Sequence, residues 1–208
     1  MVARASARLS ALLLLLAAPA ASRVIAGDWI AVTVTDVECS PLSYGGVGDG
    51  VANDTVPVQK AIDACVAARG TAVIDAGRTF KTWALTVSGA KGFALRVDGT
   101  LRFANDTRTW PARYGYCIAV SSSSFVAVHG SGVVDGNGAA WWPTPDAFRP
   151  GLLHVEGGTD LLVRDTTIVN SPNHNLQLYA SAFEVVIATI LASPQCPEVG
   201  PGVCAHNP

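Results

Sequence analysis

Charge is scarce in this sequence: Asp, Glu, Lys and Arg make up 14% of its 208 residues, and the formal net charge is −2. No run of Lys and Arg offers a face that could neutralise phosphates, which excludes nucleic acid as the main partner. Nothing ends in Gly-Lys-Ser/Thr and no Gly-x-Gly-x-x-Gly follows a strand, so the stretch Tyr44-Gly45-Gly46-Val47-Gly48-Asp49-Gly50 reads as a tight, irregular turn and not as a phosphate cradle. His129, His154, His174 and His206 have no Cys or carboxylate at zinc spacing, and Asp49-Gly50 with Asn53-Asp54 is too sparse for a calcium loop. No metal and no cofactor are expected. Beyond the N-terminus no apolar run is long enough to cross a bilayer. Helical periodicity is also nearly absent.

What is present begins with Arg4 and Arg8, an apolar run from Leu9 to Ala18 holding five consecutive leucines, and the small residues Ala18-Pro19-Ala20-Ala21-Ser22. This is the pattern of a secretory signal peptide, residues 1–22, and its apolar run is about half the length of a membrane span. A secreted, extracellular protein is expected, free of the membrane once the signal is removed, with its five cysteines in an oxidising environment. Half of the residues are hydrophobic, enough for one sizeable core.

Thr33 to Val37 reads as a short strand. After it, Val58, Ala61, Ile62, Cys65 and Val66 recur at spacings of three and four and draw one apolar stripe on a helix. Asp54 or Thr55 can cap its start, Pro57 suits its first turn and Gly70 its end. A lone helix ahead of many strands suits the open end of a sheet stack, where unpaired edges would invite aggregation. Short apolar runs follow at 72–74, 85–87, 94–97, 100–103, 118–120 and 125–128, separated by Gly, Ser and Asn. Thr167-Ile168-Val169-Asn170-Ser171-Pro172 then recurs as Thr189-Ile190-Leu191-Ala192-Ser193-Pro194, with Leu161 and Val163 matched by Phe183 and Val185, a period of 22 residues. Such a period without a helix predicts an all-β solenoid, a right-handed parallel β-helix spanning residues 33–208 with one N-terminal capping helix. A β-sandwich is the alternative.

The run from Val126 through Val133-Val134-Asp135-Gly136-Asn137-Gly138 reads as a short buried strand ending where the backbone needs positive φ. It opens onto Trp141-Trp142 and the Pro-rich segment Pro143-Thr144-Pro145. Together with the Tyr44–Thr55 turn and its helix, the strand Val97-Asp98-Gly99-Thr100-Leu101 and the Asn170-Ser171-Pro172 coil, this order of motifs resembles glycoside hydrolase family 28, the polygalacturonases and related pectin-degrading enzymes. The resemblance covers roughly residues 37 to 194. It implies a pectin-lyase-like β-helix with an open cleft, hydrolysing α-1,4 links between galacturonate units with inversion. That chemistry needs carboxyl groups roughly 6.5–9.5 Å apart, so that a water fits between base and sugar. In the family these are three aspartates, in an Asn-Thr-Asp motif and a later Asp-Asp pair, assisted by a Gly-His-Gly histidine and an Arg-x-Lys motif.

None of those four motifs occurs in this sequence. The first would fall just after Ser193-Pro194 and its loop, with Asn207 standing where its asparagine would. The expectation is therefore an N-terminal part of such an enzyme, truncated before the catalytic coils and inactive alone, with no catalytic residue of its own. Two alternatives stand beside it: a non-catalytic polysaccharide-binding β-helix, and a pectate-lyase-like enzyme, whose acidic calcium site is not seen. A pectin-type polysaccharide is the expected partner, and the chain is expected to be a monomer.

Among the residues present, His174 lies directly after a strand, one coil before the absent aspartate. Asn173, His174 and Gln177 are the candidate substrate-binding residues, with an exposed turn as the bland reading of His174. Glu156, Asp160 and Asp165 sit in turns or at solvent-facing positions and are not expected to be catalytic. Asp135 is expected to bond its own turn. Trp141 and Trp142 read first as packing residues and second as platforms for sugar rings. Cys39 can pair with Cys65 and pin the helix to the first strand, and Cys196 with Cys204 can close a Pro/Gly loop. That leaves Cys117 as a free thiol or paired beyond Pro208. Asn53-Asp-Thr55 and Asn105-Asp-Thr107 fit the glycosylation sequon, although the first can serve turn geometry instead.

Overall fold

A computed structural model of the chain describes residues 21–111, 115–143, 148–179, 182–186 and 189–191. Residues 1–20 of the expected signal peptide, Thr144-Pro145, Cys196, Cys204, and Ala192-Ser193-Pro194 at the end of the second repeat lie outside these. Two parallel sheets run along the molecule. The larger stacks Glu38–Cys39, Thr71–Ile74, Lys91–Val97, Tyr116–His129, Gly151–Arg164 and Leu176–Tyr179, with Leu85–Ser88 and Phe183–Val186 beside the long strands. The smaller stacks Asp49–Asn53, Thr79–Thr82, Thr100–Phe103, Val133–Asp135, Thr167–Val169 and Thr189–Leu191. Spatial order follows chain order in both, so each pass of the chain adds a rung to each sheet and the fold is a parallel solenoid.

The expected strands 118–120 and 125–128 are one continuous strand, Tyr116–His129. It bends at Ser122 and Phe125, both at positive φ, as Gly151–Arg164 bends at Gly157, Gly158 and Asp160. Each bend divides a coil of the larger sheet into two faces. The first face carries 85–88, 118–121, 153–156 and 176–179, and the second carries 71–74, 91–97, 124–129, 159–164 and 183–186. The smaller sheet is the third face.

Register explains the repeat. Thr167 lies beside Thr189 and Ile168 beside Ile190, while Leu161 and Val163 lie beside Phe183 and Val185, all 22 residues apart. Stacked neighbours at one column bury the same apolar side, and Leu95, Val97, Leu101, Val128, Val134, Val163 and Ile168 form part of one core. The outward side of the second face is also covered. The antiparallel hairpin Ser22–Ala26 with Ala31–Thr35 lays Ile30, Val32 and Val34 over Ala94, Ala127 and Leu162. Its turn is held by Glu184, 4% exposed, whose carboxylate accepts from the N–H groups of Asp28, Trp29 (3.3 Å) and Ile30 (2.7 Å).

The helix spans Thr55–Ala68 and buries Val58, Ala61, Ile62 and Cys65 in the core, with Val58 and Ile62 contributing about 1.5–3 kcal/mol each. Its caps differ from expectation. Asp54 is the N-cap residue but makes no capping bond. Its carboxylate, 1% exposed, instead accepts from Val47 N–H (2.8 Å) and Gly48 N–H (3.0 Å) and organises the glycine turn, which leaves no free nest for a phosphate. Arg69, not Gly70, takes the left-handed conformation at the C-terminus (φ 55°). Gly70 is needed for another reason: a Cβ there would collide with the Val37 carbonyl. Cys39 and Cys65 form a disulfide across a Cα separation of 5.9 Å, fastening the helix to the strand Glu38–Cys39. Among the described residues the Cys117 thiol has no disulfide partner; it is buried, and burial pushes its pKa well up.

Candidate functional site

The turn after Thr167–Val169 is closed by Ser171, whose hydroxyl donates to His174 O (2.8 Å) and accepts from Asn173 N–H (3.2 Å). It delivers the chain into Leu176–Tyr179 on the first face. Leu176 and Leu178 pack against the core, so by the two-residue alternation of a strand Gln177 and Tyr179 point out. Gln177 Nε2 lies 3.4 Å from His174 Nδ1, so two of the three candidate residues meet. The third, Asn173, is exposed at the apex of the turn and linked to the others through its backbone.

The structure adds residues that the sequence reading missed. Gln177 pairs in register with His154, and His154 with Ala119. His154 lies flat on Tyr116, ring centroids 3.7 Å apart and planes 3° apart, and its other neighbour is Tyr179 at 5.6 Å. Its Nε2 stands 3.7 Å from Glu156 Oε2, while its Nδ1 is buried and makes no hydrogen bond to the described residues. Tyr116, His154, Glu156, His174, Gln177 and Tyr179 thus form one outward ledge over successive rungs. Gln177 follows His154 by 23 residues but His154 follows Ala119 by 35, so no constant period marked this column in the sequence.

The other candidates are structural. Asp135 Oδ1 accepts from Asn137 N–H (2.9 Å) and from Asn170 Nδ2 (3.0 Å), and its Oδ2 pairs with Arg102 Nε at 3.2 Å. It therefore bonds its own turn and both neighbouring coils. Asp165 pairs with Arg164 Nε (2.6 Å), and Asp160 occupies a bend at φ 58°. Trp141, 1% exposed, packs edge-on against Trp110 at 5.7 Å. Trp142 is half-buried, and its indole N–H donates to Ser171 O at 3.1 Å. Among the described residues no group of three or more His, Cys, Asp or Glu side chains converges as a metal ion would require.

Two imidazoles, a primary amide, two phenol rings and one carboxylate suit a sugar chain, offering flat faces for pyranose rings and donors and acceptors for hydroxyls. Glu156 is the ledge's one carboxylate, whereas inverting hydrolysis uses two.

The architecture is that of the parallel β-helix proteins with an open outer ledge. The sequence model of glycosyl hydrolases family 28 matches residues 65–198, and this chain belongs to that family. Endo-xylogalacturonan hydrolase A of Aspergillus tubingensis is 30% identical over 163 residues, covering 73% of this chain and 38% of that protein. A probable endo-xylogalacturonan hydrolase A of Emericella nidulans is 32% identical over 145 residues, covering 65% and 35%. Among solved structures, the A. tubingensis endo-xylogalacturonan hydrolase matches with a TM-score of 0.65 at 26% identity, over 82% of this chain and 47% of that one. The exopolygalacturonase of Thermotoga maritima matches with 0.65 at 18% identity, over 77% and 48%. These matches show the right-handed parallel β-helix. The chain spans about two fifths of the length of the curated relatives it matches.

Proposed function

We propose that this chain supplies substrate-binding coils to a secreted polygalacturonase-type glycoside hydrolase, which cleaves α-1,4-galacturonosidic bonds of a pectin-type polysaccharide with inversion. The observation that carries the reading is the ledge itself: His174 and Gln177 in contact, backed by His154, Tyr116 and Tyr179 on adjoining rungs, in a family 28 chain. Tyr179, 65% exposed, gives a ring face to a sugar. Gln177, His174 and Asn173 bind hydroxyls and carboxylate oxygens. The chain works outside the cell as a monomer, with N-linked glycans on the exposed side chains of Asn53 and Asn105. The reading of the chain as a binding segment is favoured by the single carboxylate on the ledge, where inverting hydrolysis uses two.

The test is calorimetric titration of the full chain with an oligogalacturonate, alongside an assay for newly released reducing ends. Binding without release is expected, and His174→Ala and Gln177→Ala each weaken binding about 3–10-fold, the worth of one or two hydrogen bonds. No affinity in a chain with an intact β-sheet spectrum, or variants that bind as well as the parent, would sink the proposal.

A further inference from the structure

The smaller sheet ends at the strand Asp49–Asn53, which pairs with Thr79–Thr82 on one side and with no other strand among the described residues. Such an edge invites pairing with another copy, and the residues around this one are apolar: Val47, Val51 and Val56 are 48%, 77% and 62% exposed. Part of the edge is blunted from within. Asp49 Oδ1 accepts from Val51 N–H and Ala52 N–H, both at 2.8 Å, so two of the strand's donors are already spent. Asn53, at the other end of the strand, is exposed and begins the sequon Asn53-Asp54-Thr55. Its Oδ1 accepts from Thr55 N–H (3.1 Å) and from the Thr55 hydroxyl (2.6 Å), while its Nδ2 makes no hydrogen bond to the described residues. The turn therefore uses the oxygen alone, a task aspartate would do equally well, and leaves free the nitrogen that a glycan needs.

Beside Asn53 in the ladder stands Lys81, on the outward side of Thr79–Thr82, and Lys81 Nζ lies 5.7 Å from the centre of the half-buried Trp83 ring. Two bonds tie this pair to the sequon: Trp83 N–H donates to the Thr55 hydroxyl and Asp54 N–H to Lys81 O, both at 2.8 Å. We propose that Asn53 carries an N-linked glycan whose first N-acetylglucosamine rests on Trp83 and Lys81 and shields this edge of the sheet from a second copy of the chain. The sugar comes from a lipid-linked oligosaccharide. The bond from its C1 to the lipid pyrophosphate breaks, the C1–Nδ2 bond forms, the pyrophosphate leaves with the bonding electrons, and the displaced Nδ2 proton passes to solvent. The apolar face of the pyranose meets the indole, and its acetamide carbonyl accepts from the Lys81 ammonium. The hydrated chain beyond it stands over Val51 and Val56 and keeps another edge from approaching. This rests on the secreted reading above and gives one of its two glycans a structural task.

The test begins with the full chain secreted from a eukaryotic host and its glycopeptides read by mass spectrometry. Glycan at both Asn53 and Asn105 is expected. Glycan at Asn105 alone overturns the shielding role and leaves the secreted reading standing, whereas glycan at neither overturns the role and the glycosylated state proposed above. Three samples are then compared by sedimentation velocity and thermal unfolding: the parent, the parent trimmed by an endoglycosidase to one N-acetylglucosamine per site, and Asn53→Asp, which keeps the acceptor of the turn and removes the attachment nitrogen. Asn53→Asp should unfold about 2–4 °C below the parent and self-associate at concentrations about tenfold lower. The trimmed parent should keep its midpoint within about 1 °C, because the sugar on Trp83 remains. Equal behaviour of Asn53→Asp and the parent, or a trimmed sample that falls as far as Asn53→Asp, overturns the proposal. In a host without N-glycosylation Asn53→Asp should match the parent, and a loss of the same size there assigns the effect to the turn and overturns the proposal.

Discussion

Replacing Cys39 and Cys65 together by alanine should loosen one end of the solenoid and leave the rest intact. The bridge closes a segment with a sequence separation of 26. Chain-entropy loss for a loop of that size is about 12 cal/mol/K, or about 3.5 kcal/mol at 25 °C. The segment starts at the end of the strand Glu38–Cys39 and contains the glycine turn and most of the helix, and Cys65 itself is 0% exposed on the helix stripe. In a solenoid each rung contacts its neighbours alone, so the loss stays local. Hydrogen exchange followed by mass spectrometry reads this directly. Peptides covering Val58–Val66 should exchange about 300-fold faster in the double variant, the equivalent of that free energy. Peptides covering Val126–Val128 and Leu161–Val163 should be unchanged. Equal acceleration in every rung, or helix exchange altered by less than about tenfold, would refute the reasoning: the first would show that the coils unfold as one unit, the second that packing alone holds the helix.

Asp54→Ala leaves the N–H groups of Val47 and Gly48 without their acceptor in a buried turn. Thermal unfolding should report a loss of about 2–4 kcal/mol, and Asp54→Asn, which keeps one oxygen, should lose less; equal losses would mean that the charge alone matters. Glu184→Gln tests the clamp on the N-terminal hairpin through pH. Burial pushes the Glu184 carboxyl up, but the N–H groups of Asp28, Ile30 and Trp29, with Arg164, more than reverse this and hold it below the usual range. A carboxyl lowered in the folded state stabilises fully above its unfolded pKa of about 4.3 and loses that contribution as pH falls through the folded value. Urea midpoints of parent and variant should therefore differ most near neutral pH and converge in acid, and a gap that stays constant or widens in acid contradicts the clamp.

The sequence revealed the parts of the fold in which chemistry repeats. The 22-residue match between Thr167–Val169 and Thr189–Leu191 is the ladder itself, and Cys39 and Cys65 were placed by the strand and the helix stripe. Thr79–Thr82 and Asp49–Asn53 escaped notice because each holds too few apolar residues to show alternation, their partners supplying the pairing instead. Asp54 looked like a helix cap because local spacing cannot tell whether a carboxylate turns toward its helix or back to a loop. His174 and Gln177 were legible from their place after a repeated strand. Tyr116, His154 and Tyr179 were not, because Ala119 and His154 are 35 residues apart while His154 and Gln177 are 23 apart, and a column with unequal spacing has no period to detect.

That unequal spacing is where the site comes from. The long coils carry their extra residues at one corner, between Phe103 and Tyr116 and between Asp135 and Gly151, where the chain passes from the third face to the first. The turn holding Ser171 and His174 occupies the same corner one coil later, so every insertion enters the first face at the start of its strand, beside the ledge. The extra residues bring the tryptophans. Trp110 from one insertion meets Trp141 from the next edge-on, a contact worth about 0.5–1.5 kcal/mol beyond burial, and this fastens the two to each other. Trp142 is thereby set over Ser171 on the following coil. The floor of the ledge is built by ladder register, which tolerates little change, whereas the wall is built by loop residues that the ladder does not constrain. Loop positions such as Ala139 and Trp142 can therefore change while the rungs beneath, from Ile118 to Leu178, stay as they are.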